Sequence, residues 1–233
     1  MNAALELSNV SSGYGSSVVV HDVSLHIAPG EILALVGKNG MGKTSLLKTI
    51  MGFLPARRGK VMLDGRDITA TPPHRRRGMA LAYAPQERAL FQDLSVYDNL
   101  RLGLKADAAF EAAFTEVASA FPFLKTRLRQ RAGTLSGGEQ KMLIVARGLM
   151  ARPRIFLLDE VTEGLQPSIV DRLAEVLSAA RRTHGTAMLM VEQHIPFVLG
   201  IADSYAVLER GEIAASGPID GEARGIIDRH MRL

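Results

Sequence analysis

The sequence predicts an α/β fold with three parts: a small antiparallel β element, a parallel-sheet core and an inserted all-helical segment. Four short apolar runs predict the core, at residues 32–36, 79–83, 155–158 and 188–191. Such runs are typical of strands buried on both faces of a parallel sheet, because helices cover both faces. The stretch 96–150 contains several helical patterns and no good strand pattern, which predicts the helical insertion.

Alternating side chains predict the first strands. Residues 5–10 and 23–27 alternate between apolar and polar side chains, which is typical of half-buried strands. The apolar run 32–36 then leads directly into a glycine-rich segment. A later helix is predicted to begin at Pro167, because the apolar residues after it share one helical face: Ile169, Leu173, Val176, Leu177 and Ala180.

Length and composition indicate a globular protein with one large domain or two small ones. The chain has 233 residues, of which 47% are apolar and 22% charged, and this is enough to bury a sizeable core. We expect one domain over residues 1–233, in which 1–86 and 151–233 form the β element and the core, and 87–150 the helical insertion. The absence of cysteine excludes disulfides, cysteine–zinc sites and thiol catalysis.

The charge and hydropathy patterns restrict the partners of the protein. A net charge of +4 is too small to indicate a nucleic-acid partner, and none is expected. No apolar run approaches the roughly 18 residues of a spanning helix, and the N-terminal residues do not predict a signal peptide. If the protein works at a membrane, another chain supplies the membrane part. The basic run 75–77 is expected to be solvated.

Residues 37–44, Gly-Lys-Asn-Gly-Met-Gly-Lys-Thr, match the phosphate-binding pattern G-x-x-x-x-G-K-[ST]. Glycine lets backbone N–H groups approach a phosphate, and the helix predicted to start near Lys43 directs its positive end to the same place. Lys43 is predicted to neutralise β- and γ-phosphate charge, and the Thr44 hydroxyl to ligate Mg²⁺. The segment lies between a predicted strand and a predicted helix, as this chemistry requires.

A second site is predicted where the apolar strand 155–158 ends in Asp159 and Glu160. At the carboxyl end of a parallel strand, an acidic side chain points into the ligand crevice of the sheet. Asp159 is predicted to hold Mg²⁺, directly or through water. The adjacent Glu160 is predicted to polarise the attacking water.

A third segment, residues 135–140, precedes a helix predicted over 141–150. Ser136 and Glu139 have the spacing of a capping box, which is a local explanation for both. Capping leaves Gly137 and Gly138 unexplained, because glycine weakens the first turn of a helix. Two bare amides at a helix start are instead suited to binding a phosphate.

With these segments in order, the sequence resembles the ATP-binding subunits of ABC transporters. The family signature LSGGQ is present as Leu135, Ser136, Gly137, Gly138 and Glu139, followed by Gln140. The segment 162–167 matches the D-loop of the family. Tyr14 matches the aromatic residue that stacks on adenine, and Gln86 matches the Q-loop. The residues that the resemblance assigns to ATP are Tyr14, Gly37, Lys38, Asn39, Gly40, Met41, Gly42, Lys43, Thr44, Ser45 and Gln86.

The resemblance implies a RecA-like P-loop NTPase core with a small antiparallel β subdomain and an inserted all-helical subdomain. It implies ATP as substrate and Mg²⁺ as cofactor, with Thr44, Gln86 and Asp159 around the metal. It also implies a dimer, in which the signature of one subunit acts on the ATP held by the phosphate loop of the other. Hydrolysis would then depend on Lys43, Glu160 and a switch residue near position 193.

Two positions depart from the family pattern. Val161 stands where the family usually has proline, and we expect this to alter the stiffness of the D-loop. At the switch position the family normally has histidine. Aligning residues 189–194 on the preceding strand places Gln193 there, with His194 one residue later. We favour Gln193 as the switch, with His194 as the alternative. Gln193 can donate a hydrogen bond to a γ-phosphate oxygen but cannot become positively charged.

The segments 162–169, 191–193 and 208–211 are similar to one branch of the family. This branch comprises the ATPases of importers for branched-chain amino acids and, more narrowly, for amides and urea. The resemblance implies as partners a second ABC ATPase, identical or related, two transmembrane permease subunits and, indirectly, a solute-binding protein. It implies a peripheral location at the cytoplasmic face of the inner membrane.

Two other classes remain open at this point. An ABC ATPase of DNA repair or translation would share the motifs, although those relatives usually have two ATPase units or long inserted arms. A P-loop kinase acting alone would share the phosphate loop but does not account for residues 135–140.

Overall fold

The computed structural model describes residues 3–86 and 89–231, except the side chain of Arg77. In chain order the strands are β1 Leu5–Ser12, β2 Val20–Ile27, β3 Ile32–Val36, β4 Ala56–Leu63, β5 Arg66–Asp67, β6 Leu81–Ala84, β7 Ile155–Asp159, β8 Ala187–Glu192, β9 Ser204–Glu209 and β10 Glu212–Pro218. The helices are α1 Lys43–Met51, α2 Pro73–Arg76, α3 Val96–Arg101, α4 Phe110–Ala120, α5 Phe123–Arg127, α6 Gly137–Met150, α7 Pro167–His184, α8 Ile195–Ile201 and α9 Ala223–Met231.

The core is a six-stranded sheet in the order β10-β9-β3-β8-β7-β6. Strands β9, β3, β8, β7 and β6 are parallel, and β10 pairs antiparallel with β9 at one edge. Every residue of β3, β7 and β8 is buried, which confirms the interpretation of the continuous apolar runs. β6 begins at Leu81 and not at Met79, because residues 77–79 form a 3-10 turn and Ala80 adopts a left-handed φ of 58°.

The small antiparallel element is a four-stranded sheet in the order β2-β1-β4-β5. Strand β1 pairs antiparallel with both β2 and β4, and its apolar side chains enter a core shared with helix α1. The sequence predicted β1 and β2 but not β4, because residues 57–60 of β4 are exposed and have no apolar alternation.

Residues 96–150 contain helices α3 to α6, and α6 packs against α3 and α4. α6 also lies close to the sheet, because a Cβ on Gly148 would meet the ring of Phe156 at 2.4 Å. These observations confirm the predicted fold class. The residue limits 87–150 for the insertion stay a prediction, and residues 87 and 88 lie outside the described residues.

The prediction that the basic run 75–77 is solvated is wrong for Arg76. Arg75 is exposed, whereas Arg76 is 2% exposed and donates to the main-chain oxygens of Thr49 and Ile50 at the end of α1. The last carbonyls of a helix have no partner within the helix, and a buried guanidinium supplies one. The side chain of Arg77 lies outside the described part of the chain.

Over the described residues, the helices are too short or too polar for any of them to cross a membrane.

Candidate active site

The predicted phosphate loop connects β3 to α1, as the sequence indicated. Gly42 is the N-cap of α1 with a φ of 101°, a conformation that is strained for residues with a side chain. Gly37 has no room for a side chain, because a Cβ would lie 2.4 Å from the main-chain oxygen of Leu208. Two glycines of the motif are therefore required by the local backbone.

The Lys43 side chain is 4% exposed and folds back over the loop. Its Nζ donates to the main-chain oxygens of Gly37 at 2.6 Å and Lys38 at 2.9 Å, and it lies 3.5 Å from Glu160 Oε1. Burial lowers the pKa of Lys43, and the charge of Glu160 opposes this effect. The ammonium group is thus held at the centre of the loop.

Asp159 at the end of β7 faces the phosphate loop. Its Oδ1 accepts a hydrogen bond from Thr44 Oγ1 at 3.2 Å, and its Oδ2 accepts one from the Tyr83 hydroxyl at 3.1 Å. Burial raises the pKa of Asp159, while these two hydrogen bonds act in the opposite direction. Adjacent oxygen ligands of an octahedral Mg²⁺ lie about 3 Å apart, so the Thr44 and Asp159 oxygens fit this ion.

The Glu160 carboxylate lies at the centre of a hydrogen-bond network. Its Oε1 accepts from Gln193 Nε2 at 2.7 Å, and its Oε2 accepts from Gln86 Nε2 at 2.8 Å. Gln86 also donates to Glu163 at 3.0 Å. The structure therefore places Gln86 against the two glutamates, whereas Thr44 is hydrogen-bonded to Asp159.

Gln193 and His194 differ clearly in their surroundings. Gln193 Nε2 donates to Asn39 Oδ1 at 2.7 Å as well as to Glu160, so it joins the phosphate loop to the predicted catalytic acid. His194 is exposed and forms the N-cap of α8. The geometry supports the assignment of Gln193 as the switch residue, which stays a prediction.

The signature segment 135–140 lies at the start of α6. Ser136 and Glu139 form the predicted capping box, so α6 begins at Gly137 and not at Lys141. A Cβ on Gly138 would lie 2.8 Å from Ile169 Cδ1, which gives this glycine a packing role as well. A Cβ on Gly137 would meet open space, so packing does not explain that glycine.

Tyr14 lies between β1 and β2, where 48% of it is exposed. Its hydroxyl group lies 3.5 Å from the hydroxyl of Ser45 on α1. An exposed aromatic ring next to α1 is suited to stacking on a base, and this role stays a prediction.

The structure adds three polar residues to the site that the sequence did not indicate. Tyr83 contacts Asp159, Lys141 contacts the main chain of residues 160 and 163, and Glu192 contacts Thr162. Tyr83 and Glu192 belong to apolar strands, and Lys141 follows the signature. The adjacency of Glu192 to Gln193 and of Lys141 to Gln140 could have drawn attention to two of them.

The fold and the site define a class of protein, the P-loop ATPases with a signature segment. The family model for ABC transporters matches residues 20–163. The chain belongs to this family, as an ATP-binding subunit that hydrolyses ATP.

Known proteins resemble this chain over most of its length. It is 38% identical over 211 residues to the high-affinity branched-chain amino acid transport ATP-binding protein BraG of Pseudomonas aeruginosa, covering 90% of each chain. It is 34% identical over 222 residues to the lipopolysaccharide export system ATP-binding protein LptB of Escherichia coli, covering 92% of this chain and 90% of LptB. A nucleotide-free ATP-binding cassette from an ABC transporter superposes with a TM-score of 0.88 at 24% identity, covering 97% of this chain and 95% of the cassette.

Proposed function

We propose that this protein is the ATP-hydrolysing subunit of an importer for branched-chain amino acids or a related small solute such as urea. The observation that supports the solute class is the 38% identity to BraG over 90% of both chains. The Gln193 switch and the 162–169 segment also support this solute class, because both resemble the importer branch for branched-chain amino acids, amides and urea.

In this proposal the phosphate loop and Lys43 bind the ATP phosphates, and Thr44 and Asp159 hold Mg²⁺, with Gln86 nearby. The metal ion, when bound, neutralises charge that develops on the transferred phosphoryl group. Glu160 acts as the general base toward the attacking water, because its carboxylate is already oriented by Gln86 and Gln193. Gln193 exchanges its hydrogen bond to Asn39 for one to a γ-phosphate oxygen when ATP binds, because both of its N–H donors are used in this structure.

The proposal includes a dimer, because each chain has one phosphate loop and one signature. The signature residues form hydrogen bonds with one another, and Glu139 lies 3.9 Å from Arg127. The phosphate loop instead contacts the side chains of residues 159, 160 and 193. The amides of Gly137 and Gly138 at the start of α6 would then contact the ATP of the second subunit, which is an identical or related chain.

The permease subunits would dock near Gln86 and the helical insertion. A cavity of about 960 Å³ lies there, lined largely by apolar side chains that include Phe53, Tyr83, Leu102 and Leu104. Phe53 is 59% exposed and its ring centroid lies 6.5 Å from that of Tyr83, so two neighbouring aromatic rings line this groove. Docking at this groove would place the protein at the cytoplasmic face of the inner membrane, as a peripheral subunit.

Transport in proteoliposomes tests the proposal. The chain is reconstituted with two permease subunits and a solute-binding protein of this importer branch, and uptake of labelled leucine, isoleucine, valine and urea is measured with ATP inside. We expect uptake of one of these solutes, and loss of uptake in Lys43→Ala, because that variant lacks the main positive charge of the phosphate site. Hydrolysis without uptake of any of the four solutes would contradict the importer proposal.

The similarity to LptB supports a second candidate function, in lipopolysaccharide export. The same vesicles distinguish the two candidates, because an export system would extract labelled lipopolysaccharide from the bilayer. A role in a nucleic-acid machine would instead give DNA or RNA binding that weakens steeply as salt increases.

A further inference from the structure

Lys141 of α6 contacts the turn that contains the predicted catalytic acid. Its Nζ donates to the main-chain oxygen of Glu160 at 3.2 Å and to that of Glu163. Lys141 lies immediately after the signature, so one side chain joins the signature helix to residues 160–163. We call these four residues the catalytic turn.

The catalytic turn has a backbone that is costly for its sequence. Glu160 has a left-handed φ of 49°, although it is not glycine. Such a conformation is unfavourable for a residue with a side chain and persists only where surrounding contacts enforce it. Position 161 is valine, so the turn also lacks the proline ring that would restrict its backbone.

Two side chains from different elements supply the missing restraint. On one side Lys141 binds two carbonyl oxygens of the turn. On the other side Glu192 of β8 accepts hydrogen bonds from the amide of Thr162 at 3.0 Å and from its hydroxyl at 2.7 Å. Both Thr162 and Glu192 are buried, so water does not compete for these bonds.

The position of the turn controls the position of the Glu160 carboxylate. Glu160 reaches Gln86 and Gln193 through hydrogen bonds of 2.8 and 2.7 Å, which a main-chain shift of one ångström would break. Lys141 is the contact through which α6, and with it the signature, can impose that shift. Burial lowers the pKa of Lys141, and the carboxylates of Glu163, Glu192 and Glu160 oppose this effect, consistent with an ammonium group enclosed by the site.

We propose that Lys141 is a positioning residue for ATP hydrolysis, which fixes the catalytic turn against the signature helix and so keeps Glu160 in its hydrolytic position. The proposal rests on the proposed role of Glu160. Lys141 acts through the main chain of the turn. Its removal should therefore change turnover and leave ATP binding intact.

The test compares Lys141→Met with Lys141→Gln in the assembled transporter. Methionine has a similar length but no donor, whereas glutamine retains an N–H donor without the charge. Lys141→Met should lower kcat about 10- to 100-fold, as expected for a misplaced catalytic group, with the KM for ATP unchanged. Lys141→Gln should recover part of the loss. Lys125→Met, at an exposed lysine of α5, is the matched control and should behave like the parent.

A second measurement on the chain alone does not depend on transport or turnover. Hydrogen exchange of peptides that cover residues 160–165 should be faster in Lys141→Met and unchanged in Lys125→Met. A kcat within twofold of the parent, or unchanged exchange in these peptides, would overturn the proposal. A parallel rise in KM and fall in melting temperature would show a merely structural role. If no tested solute is imported, only the proposed function fails, because neither the kcat for ATP nor the hydrogen exchange reports on the solute.

Discussion

At the scale of single residues, the switch position shows how the contacts of neighbouring side chains distinguish their roles. Gln193 contacts both Asn39 and Glu160, whereas His194 is exposed at the start of α8. A histidine is the more familiar catalytic residue, but in this chain the strand register places it one residue beyond the site. Residue type alone favours His194, whereas the contacts of the two side chains favour Gln193, and the assignment stays a prediction.

Gln193→Ala should reduce ATP turnover about 100- to 1000-fold, because a donor directed at developing charge in a dry site is lost. His194→Ala should reduce turnover far less. Steady-state hydrolysis by the two variants in the same assembly provides the comparison. Loss of activity in His194→Ala with activity retained in Gln193→Ala would show that the alignment is wrong by one residue.

Glu192 is a buried acid, and its contribution to the free energy of unfolding depends on pH. Burial raises the pKa of Glu192, although hydrogen bonds from Thr162 and the Gln193 amide oppose this effect. Below the ordinary glutamate pKa the side chain is neutral in both states, so its burial costs no charge there. The cost grows as pH rises above that ordinary pKa and is complete once pH has passed the raised pKa of the folded state.

Glu192→Gln should therefore increase the melting temperature relative to the parent at pH 8, and the gain should shrink as pH falls toward about 4.5. Glutamine retains an acceptor for the Thr162 amide, so the fold should persist. Thermal unfolding of both proteins from pH 4.5 to pH 8 provides the check. A gain that grows toward low pH would contradict the raised pKa.

At the scale of elements, Arg76 fixes the carboxyl end of α1, the helix that begins at Lys43. Its guanidinium donates to Thr49 and Ile50 of α1 and to Thr69 and Thr71 in the segment before α2. A Cβ on Gly52, the C-cap of α1, would lie 2.8 Å from Arg76 Nε. The glycine that ends the helix therefore also makes room for the arginine that caps it.

Arg76→Ala should lower the free energy of unfolding by about 1–3 kcal/mol, because the buried main-chain oxygen of Ile50 loses its donor, whereas that of Thr49 keeps the Gly52 amide. The neighbouring Arg75 is exposed, so Arg75→Ala should change stability by less than about 0.5 kcal/mol. Urea denaturation of both variants measures the difference. Equal effects of the two substitutions would mean that the buried hydrogen bonds contribute little.

At the scale of the whole molecule, the phosphate loop and the signature segment lie on different elements of the fold. The phosphate loop and the acids lie at the carboxyl ends of β3 and β7, while the signature lies at the start of α6. In the proposed function each chain would present both segments to nucleotide, which is the reason for proposing a dimer with two shared sites.

Glu160→Gln should bind ATP but not hydrolyse it, because an amide cannot act as a base. Bound ATP should then accumulate a closed dimer, visible as a doubling of mass on gel filtration with ATP and absent with ADP. Hydrolysis at the rate of the parent would exclude Glu160 as the catalytic carboxylate. A monomer without hydrolysis would show that the chain alone does not form the proposed homodimer.

Short-range sequence patterns predicted the features that depend only on residues close together in the chain. The apolar run 32–36 defined β3, since a strand buried on both faces needs apolar side chains throughout. The phosphate loop was predictable because close backbone approach requires glycine at fixed positions. β4 was missed because its exposed residues 57–60, which are three basic residues and a glycine, give no apolar period. β10 was missed because it lies at the sheet edge, where no residue is fully buried.

The tertiary structure decided what distant residues do together. Tyr83 meets Asp159, Arg76 meets the end of α1, and Glu192 meets Thr162 only because strands and helices far apart in sequence become neighbours. Arg76 is buried because carbonyl oxygens from distant parts of the chain surround its guanidinium group. The sequence by itself thus determined the fold class and the phosphate-binding motif through local sterics and periodicity. Only long-range packing, which fixes side-chain partners and burial, decided how the acids and the two switch candidates are arranged.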